Sequence, residues 1–258
     1  MTILSPSISP ADGPAPALSA PPQLDTGRGT ALFLDFDGTL VELAEHPQDI
    51  VVAPALPHLL TALSERLDGR LAVVSGRSLA MLDDFLGPLP IGMAGSHGGE
   101  FRPAGSSQVQ PLAKPLPPAV SAALSSFAQQ NGGLVFEAKP FSAAVHYRNH
   151  PEIAEQLVGF ATTLSAEHGL AIKHGKMVVE LAMPGSDKGS AVRHFMERAP
   201  FAGSRPLFIG DDVTDEDAFA AVRQFDGGGV LVGAMRATAA LWRLENVSAV
   251  HRWLENAA

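Results

Sequence analysis

Thr30-Ala31-Leu32-Phe33-Leu34-Asp35-Phe36-Asp37-Gly38-Thr39 is a short apolar run that stops at two carboxylates and a glycine. That pattern predicts a buried strand whose C-terminal end carries polar, functional groups. Downstream, Leu56, Leu59, Leu60, Leu63 and Leu67 recur at helical spacing with proline in the first turn, so 54–67 reads as a helix. Arg70 to Ser75 is a second apolar run, and Ser78 is placed to cap a helix whose apolar face is Leu79, Leu82, Phe85 and Leu86. Ile91 to Ala94 is a third short run. Alternating strand and helix predicts a doubly wound, Rossmann-like α/β core with a parallel sheet. Ligands of such sheets sit beyond the C-terminal strand ends, where Asp35, Asp37 and Ser75 all fall.

The middle of the chain changes character. Gly105 to Pro118 is punctuated by Pro and Gly. A helical stretch (119–130), strand-like pieces (133–137 and 143–148), a second helix (151–168) and two more strand-like pieces (170–174 and 177–181) follow. This order predicts a smaller α+β domain over 105–183, inserted into a core built from 29–104 and 184–258. After Pro184 the alternation returns, with a helix over 188–197, a strand over 206–209, a helix over 215–223, a strand over 229–232 and a terminal helix over 248–255. Residues 1–28, rich in Pro, Ala and Ser, are expected to be a disordered tail and lack the basic start and long apolar stretch of a secretory signal.

Composition narrows the chemistry. The 258 residues include no cysteine, which excludes disulfides, thiolate metal sites and a cysteine nucleophile. The net charge of −9 disfavours nucleic acid as a partner. No apolar run approaches the roughly 18 residues of a membrane span, so no membrane partner and a cytoplasmic location are expected.

Two acids at a strand end repel each other unless a cation or a shared proton compensates. A hard divalent metal with oxygen ligands does so. One carboxylate could attack phosphorus and the other move protons, while Gly38 lets the backbone approach a phosphate. A plain surface turn is the alternative reading. Gly210-Asp211-Asp212-Val213-Thr214-Asp215-Glu216-Asp217 packs five acids into seven positions, 211 to 217, after another strand. The helix dipole accounts for Glu216 and Asp217 and explains Asp211 poorly. Lys188 opens a helix where its charge opposes the dipole, which an anion bound between them would explain; a solvated lysine is the alternative.

Asp35 with Asp37, Ser75, Lys188 and Asp211 occur in the order of the four motifs of haloacid dehalogenase-like phosphatases, and the insert lies between the second and third. At finer grain the chain resembles trehalose-6-phosphate phosphatases from about Ala31 to Leu254. That resemblance rests on Val74-Ser75-Gly76-Arg77, Gly95-Ser96-His97-Gly98-Gly99-Glu100, Glu137-Ala138-Lys139, His146-Tyr147-Arg148, Gly175-Lys176-Met177-Val178-Val179-Glu180 and Asp187-Lys188-Gly189. It implies Asp35 as nucleophile and Asp37 as general acid and base. Thr39, Ser75 and Lys188 would hold the phosphoryl group. Mg²⁺ would sit on Asp35, Asp37 (through its carbonyl) and Asp211, with Asp212 or Asp215 in support. It further implies that Arg77, His97, Gly98, Glu137, Lys139, Arg148, Lys176 and Glu180 meet the sugar, that the insert is a mobile cap, and that the substrate is trehalose 6-phosphate, with its synthase as pathway neighbour. Salt bridging within the insert's sheet is the alternative for Glu137, Lys139, Lys176 and Glu180. A phosphatase for sucrose or mannosylglycerate phosphate, or a catalytically silent sugar-phosphate binder, are the rival readings. The chain departs from the family pattern in two places: Leu181-Ala182 stands where a basic residue and proline are commoner, and Gly99 where alanine is.

Overall fold

In a computed structural model, residues 18–27, 29–44, 46, 48–132, 134–175 and 177–258 are described. The opening stretch forms β1 (Thr30–Leu34), all but its first residue fully buried. In chain order come α1 (Leu56–Arg66), β2 (Leu71–Val74), α2 (Leu79–Leu86), β3 (Gly92–Gly95), β4 (Glu100–Arg102) and β5 (Gln110–Pro111). The insert supplies α3 (Pro118–Gln130), β6 (Val135–Ala138), β7 (Ser142–His146), α4 (Ala154–His168), β8 (Ala171–Gly175) and β9 (Val178–Ala182). The chain then returns with α5 (Lys188–Met196), β10 (Arg205–Gly210), α6 (Glu216–Arg223), β11 (Gly228–Val232), β12 (Trp242–Leu244) and α7 (Val247–Glu255).

Eight strands form one sheet in the order β12-β11-β10-β1-β2-β3-β4-β5. The strands from β12 to β3 run parallel, and β4 and β5 add an antiparallel edge. One apolar cluster, with Leu32, Leu34, Leu60 and Trp253, covers one face of this sheet. A second, with Phe33, Phe195, Phe208 and Phe219, covers the other, so alternate residues of β1 serve opposite cores. β1 lies centrally between β10 and β2, which brings the ends of β1, β2 and β10 together at one rim.

The insert is a four-stranded antiparallel sheet, β6-β7-β9-β8, with α3 and α4 on one face. Ala143, Val145, Val179 and Leu181 point into that helical layer. Their alternates Ser142, Ala144, His146, Val178 and Glu180 therefore stand on the open face. The expected α/β core with a smaller α+β insert is what the chain forms. Three short strands escaped the sequence reading: β4, β5 and β12 have three, two and three residues, too few for a period to register.

Within the stretch expected to be disordered, residues 18–27 are anchored on the core at a few points. Leu24 is 5% exposed, the Pro22 carbonyl accepts from the Trp253 indole, and the Ser19 carbonyl accepts from the Arg243 amide. Residues 1–17 and Arg28 lie outside the described residues, as do Lys176 and Gly133.

Both links between the two units converge on the β6–β7 turn. The Leu116 amide donates to the Pro140 carbonyl (3.0 Å) and the Met183 amide to the Phe141 carbonyl (2.9 Å). The Phe141 ring rests on Gly99 so closely that a Cβ there would lie 2.1 Å from it. This contact is a physical reason for glycine at position 99. Gly99→Ala is expected to cost about 1–3 kcal/mol by overpacking. In urea unfolding, Phe141→Leu should recover much of that loss in the double variant, a coupling that independent sites would not show.

Candidate active site

β1 ends at Leu34, so Asp35 and Asp37 lie in the turn just beyond it, and the two side chains part company. Asp35 is 3% exposed, and its Oδ1 lies 2.8 Å from Nζ of Lys188. The same ammonium donates to Oδ1 of Asp215 at 2.6 Å. Lys188, itself 3% exposed, is thus a buried cation between two carboxylates and not a solvated surface lysine. Burial alone would drive its proton off, but Asp215 and Asp35 outweigh that and push its pKa upward.

Asp211 follows β10, and its carboxylate fills the space above Gly38. A Cβ on Gly38 would lie 2.2 Å from an Asp211 oxygen, and Gly38 has φ +71°, so both contact and backbone call for glycine. Oxygens of Asp35, Asp211 and Asp215 lie within 4.8 Å of one another. Burial and the neighbouring Asp215 charge raise Asp211 to about 6 and push Asp35 well above the usual carboxylate range. Three acids against one ammonium, all oxygen donors, suit a hard divalent cation. Asp35 and Asp211 face the cavity; Asp215 is fully buried, held by Lys188 and by the Asp212 amide at 2.8 Å. The Asp212 carboxylate caps its own turn by accepting from the Val213 amide at 2.7 Å. Between Asp212 and Asp215, which the sequence left unranked, Asp215 is the one that joins the acidic trio.

Arg236 and Glu216 fasten this acidic loop. The Arg236 guanidinium donates to Glu216 and to the Asp212 carbonyl, and Glu216 accepts from the Ala239 amide.

Asp35, Asp37, Gly76, His97, Lys188, Asp211, Asp212 and Thr214 line a cavity of about 330 Å³ at the strand ends. Thr39 Oγ1 is buried without a hydrogen-bond partner among the described residues, and Ser75 is fully buried with its Oγ accepting from the Arg77 amide at 3.1 Å. Both hydroxyls keep donor capacity for a ligand. A second cavity of about 640 Å³ adjoins the first through Asp37, Gly76 and His97. Glu137, Lys139 and Ser142 of the insert form one wall, and Leu43, Ile50 and Met81 of the core form an apolar wall.

The expected sugar-facing residues divide. Glu137, Lys139, His97 and Arg77 reach the larger cavity. Arg77, however, is engaged with Asp37: its Nε donates to Oδ2 at 2.7 Å and its Nη2 to Oδ1 at 2.6 Å. Glu180 stands just behind, accepting from Ser142 Oγ at 2.6 Å and lying 3.3 Å from Lys139 Nζ. Gly98 abuts the Asp187 carbonyl, where a Cβ would lie at 2.4 Å, so its part is close packing of the two loops. Arg148 is exposed and lines neither cavity; it falls two residues past the end of β7. Lys176 is outside the described residues. The sequence reading missed Ser142, Phe141 and the apolar wall, although the alternation in β7 places Ser142 on the open face.

His97 sits between the cavities in a left-handed conformation, φ +56°. The carboxylate of Glu100 braces this loop, accepting from Ser96 Oγ at 2.8 Å and from the Leu79 amide at 3.0 Å. Burial, followed by the Lys188 charge, lowers His97 to about 4 from 6.5. Its imidazole is therefore neutral at pH 7, with a buried Nδ1 lacking a partner among the described residues. Since the unfolded chain binds this proton more tightly, stability falls as pH drops from 6.5 to 4, by up to about 3 kcal/mol. Urea midpoints at pH 7 and pH 4.5 should drop further for the parent than for His97→Asn, because the other titrations are common to both.

A family model for trehalose-phosphatase matches residues 33–248. The chain belongs to the trehalose-phosphatase family. The trehalose-6-phosphate phosphatase of Escherichia coli (strain K12) is 39% identical over 227 residues, spanning 87% of this chain and 85% of that protein. A crystal structure of Aspergillus fumigatus trehalose-6-phosphate phosphatase superposes with a TM-score of 0.71 at 27% identity, covering 92% of this chain and 98% of that one. A haloacid dehalogenase-like hydrolase from Bacteroides thetaiotaomicron shares the fold with a TM-score of 0.61 at 17% identity, over 87% and 99% of the two chains. In this trehalose-phosphatase family member Asp35, Asp37, Thr39, Ser75 and Asp211 follow the ends of β1, β2 and β10, and Lys188 at the start of α5 reaches Asp35 at the same rim. No helix among the described residues is long and apolar enough to cross a membrane.

Proposed function

We propose that this chain hydrolyses trehalose 6-phosphate to trehalose and phosphate through a phosphorylated Asp35, with Mg²⁺ as cofactor. The observation that carries the reading is the joining of two cavities. The smaller holds a buried nucleophile between a lysine and further carboxylates, and the larger is walled by Glu137, Lys139 and Ser142 of the insert. At about 640 Å³ the larger cavity falls in the range of small-ligand sites. Its mix of carboxylates, ammonium and hydroxyl suits a ligand bearing many hydroxyls.

In the first step Asp35 attacks phosphorus in line, and the bond from phosphorus to the sugar's 6-oxygen breaks. Asp37 gives that oxygen its proton and trehalose leaves. Water then attacks the phosphoryl group while Asp37 takes up the water's proton, and release of phosphate restores the Asp35 carboxylate. Thr39, Ser75 and Lys188 hold the phosphoryl oxygens through both steps. Asp35 and Asp211, backed by Asp215 and aided by the Asp37 carbonyl, would hold the Mg²⁺, whose charge offsets that of nucleophile and phosphoryl group. The insert acts as a cap that shields the transfer from bulk water. His97, Glu137, Lys139 and Glu180 are the groups assigned to the sugar. A cysteine-free chain suits the cytoplasm, where the synthase would supply the substrate.

The test is phosphate release from trehalose 6-phosphate, glucose 6-phosphate and sucrose 6-phosphate, each with Mg²⁺ and with a chelator. Metal-dependent release strongly favouring trehalose 6-phosphate is expected. Equal rates on all three would remove the substrate assignment, and undiminished release under chelation would remove the metal.

A further inference from the structure

The Asp37 carboxylate is held by one side chain in an uncommonly complete way. Arg77 reaches it side-on, Nε to Oδ2 at 2.7 Å and Nη2 to Oδ1 at 2.6 Å. The guanidinium is itself oriented, with its central carbon 5.0 Å from the centroid of the Phe85 ring and 5.9 Å from that of Phe36. Only 9% of the Arg77 side chain is exposed, against 29% of Asp37. Arg77 is carried on the turn after β2, behind Ser75, whereas Phe36 and Asp37 come from the turn after β1.

A carboxylate has about four lone-pair sites, and a bidentate arginine takes one on each oxygen. The other site on each oxygen stays available to carry or take up a proton. Two parallel hydrogen bonds fix the carboxyl plane, which a single bond would leave free to rotate. We propose that Arg77 is a positioning residue for proton transfer: it sets the plane of Asp37 so that the open side of one oxygen faces the leaving group and then the attacking water. This rests on the reading of Asp37 as acid and base, and it replaces a direct contact of Arg77 with the substrate by action through Asp37.

The consequence depends on the leaving group. The 6-oxygen of a sugar leaves as an alkoxide unless it is protonated, so its departure needs an aligned acid. The 4-nitrophenolate of 4-nitrophenyl phosphate leaves without a proton. General acid catalysis contributes about 10²–10⁴-fold, so a misaligned acid should forfeit about 10–100-fold of the rate on the sugar phosphate.

The experiment compares Arg77→Met and Arg77→Lys with the parent on both substrates. It measures steady-state kcat and KM for trehalose 6-phosphate, and the first-turnover release of nitrophenolate. Both rates come from the same preparation, so their ratio does not depend on the folded fraction. The expected result is a kcat loss on trehalose 6-phosphate at least about tenfold greater than the first-turnover loss on 4-nitrophenyl phosphate, with KM for the sugar phosphate within about threefold of the parent. Arg77→Lys should follow Arg77→Met, because an ammonium keeps the charge but cannot span both oxygens. Equal losses on the two substrates, a rise in KM without loss of kcat, or full activity in Arg77→Lys would each overturn the proposal. A parent that leaves trehalose 6-phosphate intact while releasing nitrophenolate would instead refute the substrate reading.

Discussion

Asp35→Asn is expected to lose roughly 10⁴-fold or more of kcat on trehalose 6-phosphate while melting at or above the parent temperature in chelator. The rate loss follows from removing the nucleophile, since groups that act as a unit with it cannot replace it. The stability expectation has a separate origin. Burial and the Asp215 charge push the Asp35 carboxyl well above its usual range, so a charge there is costly to the metal-free fold. Asparagine keeps the shape and the acceptor facing Lys188 while removing that charge. It also removes a ligand of the proposed cation, so Mg²⁺ should raise the melting temperature of the variant less than that of the parent. Turnover above about 1% of the parent would place the nucleophile elsewhere.

Lys188→Met should be the most damaging single change to the fold at this rim. The ammonium lies 2.8 Å from Asp35 and 2.6 Å from Asp215, and all three side chains are 5% exposed or less. Removing the cation leaves two buried carboxylates facing each other, with Asp211 adding a third charge nearby. Breaking a buried ion pair on one side costs about 3–5 kcal/mol, which in a chain of this size corresponds to a fall in melting temperature of roughly 10 °C. Activity should fall by about 10³-fold, because a phosphoryl oxygen loses its ammonium and the nucleophile its orienting partner. Differential scanning calorimetry in chelator, paired with phosphate release, separates the two losses. A melting temperature within about 2 °C of the parent would show that Lys188 is not holding the carboxylates in place.

How much of this was legible beforehand depended on the kind of signal. The strand at Thr30–Leu34 and the acids after it were readable because a fully buried parallel strand must be continuously apolar, and it ends where polarity begins. Ser78 was readable as a cap and accepts from the Met81 amide at 3.3 Å. The insert was readable from the order of its elements. β12 was not, because Trp242–Leu244 gains its identity only by pairing with β11. The packing of Leu24 against the core, and the bond from the Trp253 indole to the Pro22 carbonyl, were hidden by a Pro- and Ala-rich composition that carries no period. In the site, residue types pointed to the chemistry, but not to which charge meets which. The pairing of Arg77 with Asp37 joins residues 40 positions apart and depends on the neighbouring ends of β1 and β2. The exposure of Arg148 depends on where β7 stops, and no motif records that.

Phosphorylation of Asp35 during turnover can be read directly. The full chain would be mixed with trehalose 6-phosphate and Mg²⁺, quenched within the first turnovers, and treated with borohydride, which reduces an aspartyl phosphate to homoserine. Peptide mass spectrometry should then find homoserine at position 35 and unchanged aspartate at positions 37, 211 and 215. Phosphate release with no modification at 35, or with the modification at another acid, would contradict the account.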